Sequence, residues 1–507
     1  LIRTKLEKPG YLFIILTIFA NGKFLKNTDM QTIINKAERL SKRENLVFLI
    51  SDLKNLDDKY LSKEEIRFIR TQYRENKRDV FSFNHFKNWT FVNILKKERV
   101  KAKRLEEYRS AGNKLLSKIN GNKLNSVVLV DSEGKQEELL AYAEGMALGN
   151  YQFLKYKKDP SEKMNSLNEI DLYSKNLDED LIAELNIVID ATYTARNFVN
   201  EPVSYLNAVT FSKEMEKLGK KSGAKVEVLN KKKIETLKMG GLLAVNKGSI
   251  DPPTFTIMEW KPKGAINKKP YVFVGKGVVF DTGGLNIKTG EFMYNMKSDM
   301  GGGAAVSAAL YAIAAAKLPV HVIALVPATD NRPDGNAYAS GDIITMYDKT
   351  QVEVINTDAE GRMILADALS YAKQYDPELV IDAATLTGAA MRAIGKFGIV
   401  AMCSGAEKEF NLLKKSGENV NERLVEFPLW EDYFDEIKSE VGDIKNIGGP
   451  EAGAITAGKF LEHFTDYPYI HLDIAGPAFL GKPFKYNTTG GTGVGVRLLF
   501  DFIKSKV

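Results

Sequence analysis

Hydrophobic and polar positions alternate along the chain in two distinct rhythms. Apolar runs at 11–19, 46–50 and 127–130 predict strands, and three- or four-residue apolar spacing at 30–41, 103–119 and 136–153 predicts helices. Together these make an α/β unit over residues 1–175. The polar stretch 156–180, with Lys-Lys-Asp-Pro160-Ser, reads as a linker. Helical spacing over 181–199, ending before Asn200-Glu-Pro202, reads as a bridging helix, so residues 176–200 join two domains. From 201 to 507 strand and helix patterns alternate. Strands are expected at 225–229, 254–260, 271–274, 320–326, 352–355, 379–384 and 399–403, and helices at 210–218, 303–317, 363–375, 411–417, 457–463 and 493–504. Such alternation predicts a mostly parallel central sheet covered on both faces. The fold class is therefore α/β with two domains.

Composition narrows the function without naming it. Hydrophobic residues at 44% and charged residues at 27% are ordinary for a globular protein, and 71 basic against 65 acidic residues leave a mild +6. The Lys-rich run 96–104 has no interleaved aromatics and reads as a solvated helix face, as does Lys231-Lys-Lys233, so nucleic acid is not the favoured partner. The apolar run 11–20 is about half the length needed to span a bilayer, so no membrane partner is expected. It also lacks a signal-peptide cleavage pattern. The chain opens on Leu1 rather than Met, which reads as processing or trimming and leaves an organellar targeting segment ahead of it open. One cysteine, Cys403, excludes an internal disulfide framework and reads as a buried structural thiol in a reducing, cytoplasmic setting.

The chemistry concentrates between 274 and 369. There is no His-Glu-x-x-His, no Cys-x-x-Cys, no phosphate-binding Gly-x-x-x-x-Gly-Lys-Ser/Thr, and the four histidines are not paired at ligand spacing. His321 and His471 read as core residues. Oxygen ligands are plentiful: Asp281, Asp299, Asp358 and Glu360, with Lys276 and Lys288 flanking the first of them. Each follows or adjoins an apolar run, so the carboxylates are expected at strand ends, where open α/β sheets place ligands. Taken singly, Asp299 and Asp358 could instead cap the helices that follow them. Four converging carboxylates would repel and suffer raised pKa values unless cations neutralised them. Two divalent ions about 3.5–4 Å apart are a common solution. Glycines 283, 284, 301–303 and 361 would let backbone approach such ions closely.

The stretches Gly275-Lys-Gly-Val-Val-Phe-Asp-Thr-Gly-Gly-Leu-Asn-Ile-Lys288 and Asn356-Thr-Asp-Ala-Glu-Gly-Arg362 resemble the signatures of the M17 leucyl aminopeptidase family, the cytosol aminopeptidases. Further resemblance lies in Glu144–Tyr151, Ala195–Pro202, His471–Gly476 and Thr492–Leu498, and it is continuous over about 180–507. The resemblance implies a macrodomain-like N-terminal α/β domain and a catalytic C-terminal one. It implies a tightly held metal on Lys276, Asp281, Asp299 and Glu360, and an exchangeable one on Asp281, Asp358 and Glu360 with the Asp358 carbonyl helping. Lysine as a ligand requires a neutral amine, which neighbouring dications enforce. By resemblance the cofactors are Zn²⁺ and/or Mn²⁺, with Mg²⁺ or Co²⁺ as further options at the exchangeable site. Lys288 is then the electrophile that stabilises the oxyanion. Arg362 holds bicarbonate, the general base toward a hydroxide activated by both metals.

The implied function is release of N-terminal residues from peptides with a free amine, which would bind the exchangeable metal. The first side chain would be lined by Met296, Thr385, Gly388, Ala475 and Ala478, an apolar set suited to Leu or Met. Ala478 would enlarge the floor, and Met293 with Met296 could admit aromatics. A homohexamer, a dimer of trimers, is implied as the assembly, with an additional DNA-binding or structural role as the alternative. Thr282, Gly303 and residues 203–208 depart from the usual family pattern, and none is a ligand position.

Overall fold

The computed structural model describes residues 32–175 and 177–507. The strand expected at 11–19 lies outside them. In the N-terminal domain six strands, β1 (Ile33–Lys36), β2 (Leu46–Ile50), β3 (Val80–Asn84), β4 (Trp89–Ile94), β5 (Ser126–Asp131) and β6 (Glu169–Tyr173), form one sheet in the order β1-β6-β5-β2-β4-β3. All neighbours are parallel except the β3–β4 hairpin. Helices Lys101–Gly121 and Gln136–Asn150 cover one face, and helix Lys63–Asn76 covers the other through buried Ile69.

Two expectations are corrected here. Residues 33–36 are strand β1, not part of a helix over 30–41, because pairing with β6 satisfies their backbone along the sheet edge. The stretch 156–180 is not merely a linker: Ile170 and Leu172 within it are fully buried in β6. Its alternation is short and flanked by charge, which hides it.

Helix Glu179–Asn200 joins the domains. Ile182, Ile189 and Tyr193 belong to the N-terminal core, while Val188, Ala191, Ala195, Phe198 and Val199 belong to the core of the second domain. Full burial of a large apolar side chain is worth roughly 1.5–3 kcal/mol. The one helix is therefore anchored independently on both sides.

The second sheet holds β7 (Lys225–Leu229), β8 (Thr254–Trp260), β9 (Tyr271–Gly275), β10 (Gly277–Asp281), β11 (Val322–Asn331), β14 (Leu379–Ala384), β15 (Ile399–Ser404), β16 (Leu424–Glu426) and β18 (Tyr469–Asp473). Its order is β16-β15-β18-β14-β9-β11-β8-β7, with β10 also beside β11. The centre, β18-β14-β9-β11, is parallel, and antiparallel pairs lie to either side. Helix Gly301–Ala315 packs on one face beneath helices Glu179–Asn200 and Val496–Lys504, and helix Glu360–Ala372 packs on the other. Both faces are covered, as the near-continuous apolar strands require.

The run at 352–355 does not join this sheet. Its residues Gln351–Glu353 form β13, the middle of a separate three-stranded sheet with β12 (Ile343–Thr345) and β17 (Ile444–Lys445). No helix among the described residues is long and apolar enough to cross a membrane. Cys403 is half-buried, and burial pushes its thiol up to about 11, which fits an inert role.

Candidate metal centre

Three segments deliver the acidic groups to one place. Asp281 ends β10, where Asn331 Nδ2 and the Gly283 N–H donate to its Oδ1 at 2.9 and 2.8 Å. Asp299 lies on the approach to helix Gly301–Ala315, and Thr385 Oγ1 donates to its Oδ1 at 2.9 Å. Asp358 and Glu360 follow β13, with Glu360 the first residue of its helix. Neither helix receives a side-chain cap: the N-cap residues are Met300 and Ala359, and no carboxylate bonds the first turn. The capping readings of Asp299 and Asp358 therefore fall.

The loops carrying Asp281 and Asp358 are laced together. Thr357 N–H donates to Asn286 Oδ1 at 2.8 Å, the Asn286 N–H donates to Thr357 Oγ1 at 2.9 Å, and Thr357 Oγ1 donates to the Gly283 carbonyl at 2.6 Å. Asn331 and Tyr338 both donate to the Thr357 carbonyl, at 3.0 and 2.7 Å. This lacing holds Asp358 over the end of β10 although it comes from a different sheet.

Carboxylate oxygens of Asp281, Asp358 and Glu360 lie within 4.8 Å of one another. Lys276 Nζ stands 2.8 Å from Asp299 Oδ1 and 2.9 Å from Glu360 Oε1, and donates to the Thr385 carbonyl at 3.0 Å. Lys288 Nζ stands 2.8 Å from Asp281 Oδ2 and also contacts Asp358 Oδ1. Lys276, Asp281, Asp299 and Glu360 are buried, while Asp358 is on the open side. Backbone shape makes room: a Cβ at Gly361 would lie 2.6 Å from Lys276 Nζ, and one at Gly302 would lie 1.9 Å from the Ala383 carbonyl.

Two lysines against four carboxylates leave a formal deficit of two positive charges. That deficit shifts the proton affinities of the group. Burial drives the Asp299 carboxyl well above the usual range, with Lys276 pulling it down and Glu360 and Asp281 repelling it upward. Asp358 is pushed to about 6 by burial and then by Asp281 and Glu360, against Lys288. Burial works to lower both lysines, yet the surrounding carboxylates hold them above the ordinary lysine range. Asp299 Oδ2 and Glu360 Oε2 are buried with no hydrogen-bond donor among the described residues. Unpartnered anionic oxygens in a cluster short of positive charge are the chemistry of a divalent-cation site, so the residues present fit the metals implied.

A sequence profile of the cytosol aminopeptidase family, catalytic domain, matches residues 193–500. The chain is 47% identical over 376 residues to a probable cytosol aminopeptidase of Chlorobium phaeobacteroides, covering 72% of this chain and 74% of that one. It is 43% identical over 429 residues to that of Chlorobaculum tepidum, covering 79% and 84%. The chain belongs to the cytosol aminopeptidase family. Among solved structures, the bottromycin maturation enzyme BotP in complex with Mn is similar at a TM-score of 0.81 and 28% identity, over 91% of this chain and 99% of that one. A tomato leucine aminopeptidase mutant is similar at 0.81 and 25%, over 93% and 96%. The protein is accordingly a metal-dependent aminopeptidase, a hydrolase of the leucyl aminopeptidase type.

In this aminopeptidase Arg362 is buried in the first turn of its helix, and burial brings its guanidinium down to about 10 against Glu360 and Asp473. Its Nη1 donates to the Asn446 carbonyl at 2.8 Å, while its Nε has no acceptor among the described residues. Thr385 and Ala478 meet at Gly301, where a Cβ would lie 3.2 Å from Thr385 Cγ2 and 3.6 Å from Ala478 Cβ. Met296 begins the half-buried turn Met296–Ser298 just before Asp299. Asp473 ties Ala475 to the segment that leads into Gly388: it accepts from the N–H of Leu386 (3.2 Å), Thr387 Oγ1 (2.7 Å) and the N–H of Ala475 (3.1 Å).

Sequence reasoning missed Asn331, Asn446 and Asp473. All three are buried polar residues at strand ends or in the strand-adjacent segment beside β17. A polar residue closing an apolar run, as in Ala328-Thr-Asp-Asn331 and Ile470-His-Leu-Asp473, was the available signal.

Proposed function

We propose that this aminopeptidase releases N-terminal Leu, Met and related apolar residues, aromatics included, from peptides with a free amine. The observation that carries the reading is the charge-deficient cluster of buried Asp281, Asp299 and Glu360 with Asp358 on its open side. Lys276, Asp281, Asp299 and Glu360 would hold one divalent ion, and Asp281, Asp358 and Glu360 a second, with Zn²⁺ and Mn²⁺ the first candidates. When bound, such ions supply Lewis acidity and a water acidic enough to ionise near neutral pH. Arg362 would hold bicarbonate, a planar anion that supplies a base; its unpartnered Nε and its rigid fork support that role.

The chain's own residues do the rest. Lys288, on the open side of the cluster, presents an ammonium where charge develops on the scissile carbonyl oxygen. Thr385 and Ala478 keep the wall beside Gly301 small and apolar, which favours a branched or linear hydrocarbon side chain. Asp473 fixes the two backbone segments that form that wall. Exposed Leu285, Ile287, Phe292 and Tyr294 around the mouth support burial of this face in a homohexamer, and the cytosol aminopeptidase relatives support a cytoplasmic setting.

The test is hydrolysis of leucine p-nitroanilide and of a Leu-X dipeptide, with activity lost to chelator and restored by Mn²⁺ or Zn²⁺. The N-acetylated dipeptide should be inert. Lys288→Ala should keep its metal content and lose most turnover. Full activity in chelator, or equal cleavage of blocked and free peptides, overturns the reading.

A further inference from the structure

A second charged site lies away from the carboxylate cluster, where helix Gln136–Asn150, helix Glu179–Asn200 and the loops around 396, 422 and 485 meet. It is a cavity of about 50 Å³ whose lining includes Arg196, Lys396, Arg423, Lys485 and Arg497 against a single carboxylate, Glu422. The two deepest of these cations come from Ala195–Pro202 and Thr492–Leu498, stretches that the peptidase chemistry leaves without a task.

Arg196 is completely buried. Its Nε donates to the Thr492 carbonyl at 2.9 Å, Nη1 to the Leu148 carbonyl at 2.6 Å, and Nη2 to Asn487 Oδ1 at 3.0 Å and, more weakly, to the Tyr486 carbonyl at 3.5 Å. Every acceptor is neutral, and no carboxylate among the described residues lies within ion-pair distance of it. A buried guanidinium without a counter-charge is costly, and burial indeed pushes Arg196 below its ordinary range.

Arg497 is also buried. Its Nε pairs with Glu144 Oε1 at 2.7 Å and its Nη1 stands 3.7 Å from Glu422 Oε1, but its Nη2 has no acceptor among the described residues. Glu422 already accepts the N–H of Gly495 at 2.8 Å, and Lys485 pairs outward with Glu106 at 2.7 Å. Lys396 and Arg423 stand exposed at the rim and pair with no carboxylate among the described residues. The arrangement is a cationic mouth over a cationic floor.

Size limits the occupant. A single water needs about 10–15 Å³, so a cavity of about 50 Å³ accepts a few waters or one small oxyanion. A nucleotide or a peptide is too large. We propose that this cavity is an oxyanion site that takes one divalent tetrahedral oxyanion, sulfate or hydrogen phosphate, between Arg196 and Arg497. Because the cavity is lined from both domains and from the helix that joins them, the anion cements the domain junction.

The probe is sulfate, added at low millimolar concentration to the full-length, Mn²⁺-loaded protein and compared with chloride at matched ionic strength. A saturable rise in Tm of a few degrees is expected with sulfate alone. The surface double variant Lys396→Ser/Arg423→Ser, which keeps the buried arginines and so the fold, should raise the half-saturating sulfate concentration at least tenfold. Arg362→Ala should leave the sulfate response in place, separating this site from the bicarbonate position. Crystals soaked in selenate should show an anomalous peak beside Arg196 and Arg497. No saturable rise, an equal rise with chloride, an unchanged response in the rim variant, a response lost with Arg362→Ala, or a selenate peak only elsewhere would each overturn the proposal.

Discussion

Asn446 holds Asn356 by the backbone: its Nδ2 donates to the Asn356 carbonyl at 2.7 Å, and its Oδ1 accepts the Ile355 N–H at 2.8 Å. The side chain is fully buried, so it acts as a fixed bracket under the turn that carries Asp358. Asn446→Ala leaves a buried donor and acceptor unmet, at a cost of about 1–3 kcal/mol. We expect a lower Tm and a weaker apparent affinity for the more exposed of two bound ions, read by Mn²⁺ titration. Unchanged metal affinity would show that Asp358 does not depend on this bracket.

Gly361 and Lys276 make a second prediction. A Cβ at residue 361 would lie 2.4 Å from Lys276 Cε and 2.6 Å from Nζ, both at the mobile end of a side chain. Gly361→Ala should therefore fold but swing the amine away from Asp299 and Glu360. Metal analysis should find the stoichiometry reduced and turnover down by at least two orders of magnitude, with the melting temperature little changed.

Asp473 is predicted to act on substrate affinity. Its carboxylate gathers the N–H groups of Leu386 and Ala475 and the hydroxyl of Thr387. Asp473→Ala frees the two segments bearing Thr385, Gly388, Ala475 and Ala478, none of which bears a metal ligand. KM for leucine substrates should rise several-fold more than kcat falls, and metal content should be normal. A pure kcat defect would contradict this.

His471 gives a pH prediction. Burial works to lower its pKa, but Asp382, 2.8 Å from Nδ1, raises it above the ordinary 6.5. A folded-state pKa above the unfolded one means that the native state binds the extra proton. The stabilisation is full below about pH 6.5 and disappears as pH climbs through the raised value. Tm measured from pH 6 to pH 9 should fall with a component that His471→Gln abolishes, the variant being less stable at the acid end.

Much of the scaffold could be read from residue patterns, and the exceptions have physical causes. Leu46–Ile50 and Leu379–Ala384 are buried throughout, and an apolar run, unbroken in the first and interrupted only by Asp382 in the second, marked them as inner strands. The hairpin Val80–Asn84 and Trp89–Ile94 carries alternation, but its turn through Phe86, at φ +68°, has no glycine to announce it. Ile33–Lys36 is helical by spacing and a strand by partnership, a decision made by β6 from 136 residues away. At the site the acidic ligands were legible because charge in an apolar setting stands out. Asn331, Asn446 and Asp473 were not, because their task is to hold backbone, and only the fold shows which backbone they meet.

Asp281 hangs from the nine-stranded sheet and Asp358 from the three-stranded one. The cluster is thus assembled across a seam instead of within one rigid slab. A mild denaturant or a mutation that loosens the seam will part the acids while each sheet is still intact, so this chain should fall silent as a catalyst well before it melts.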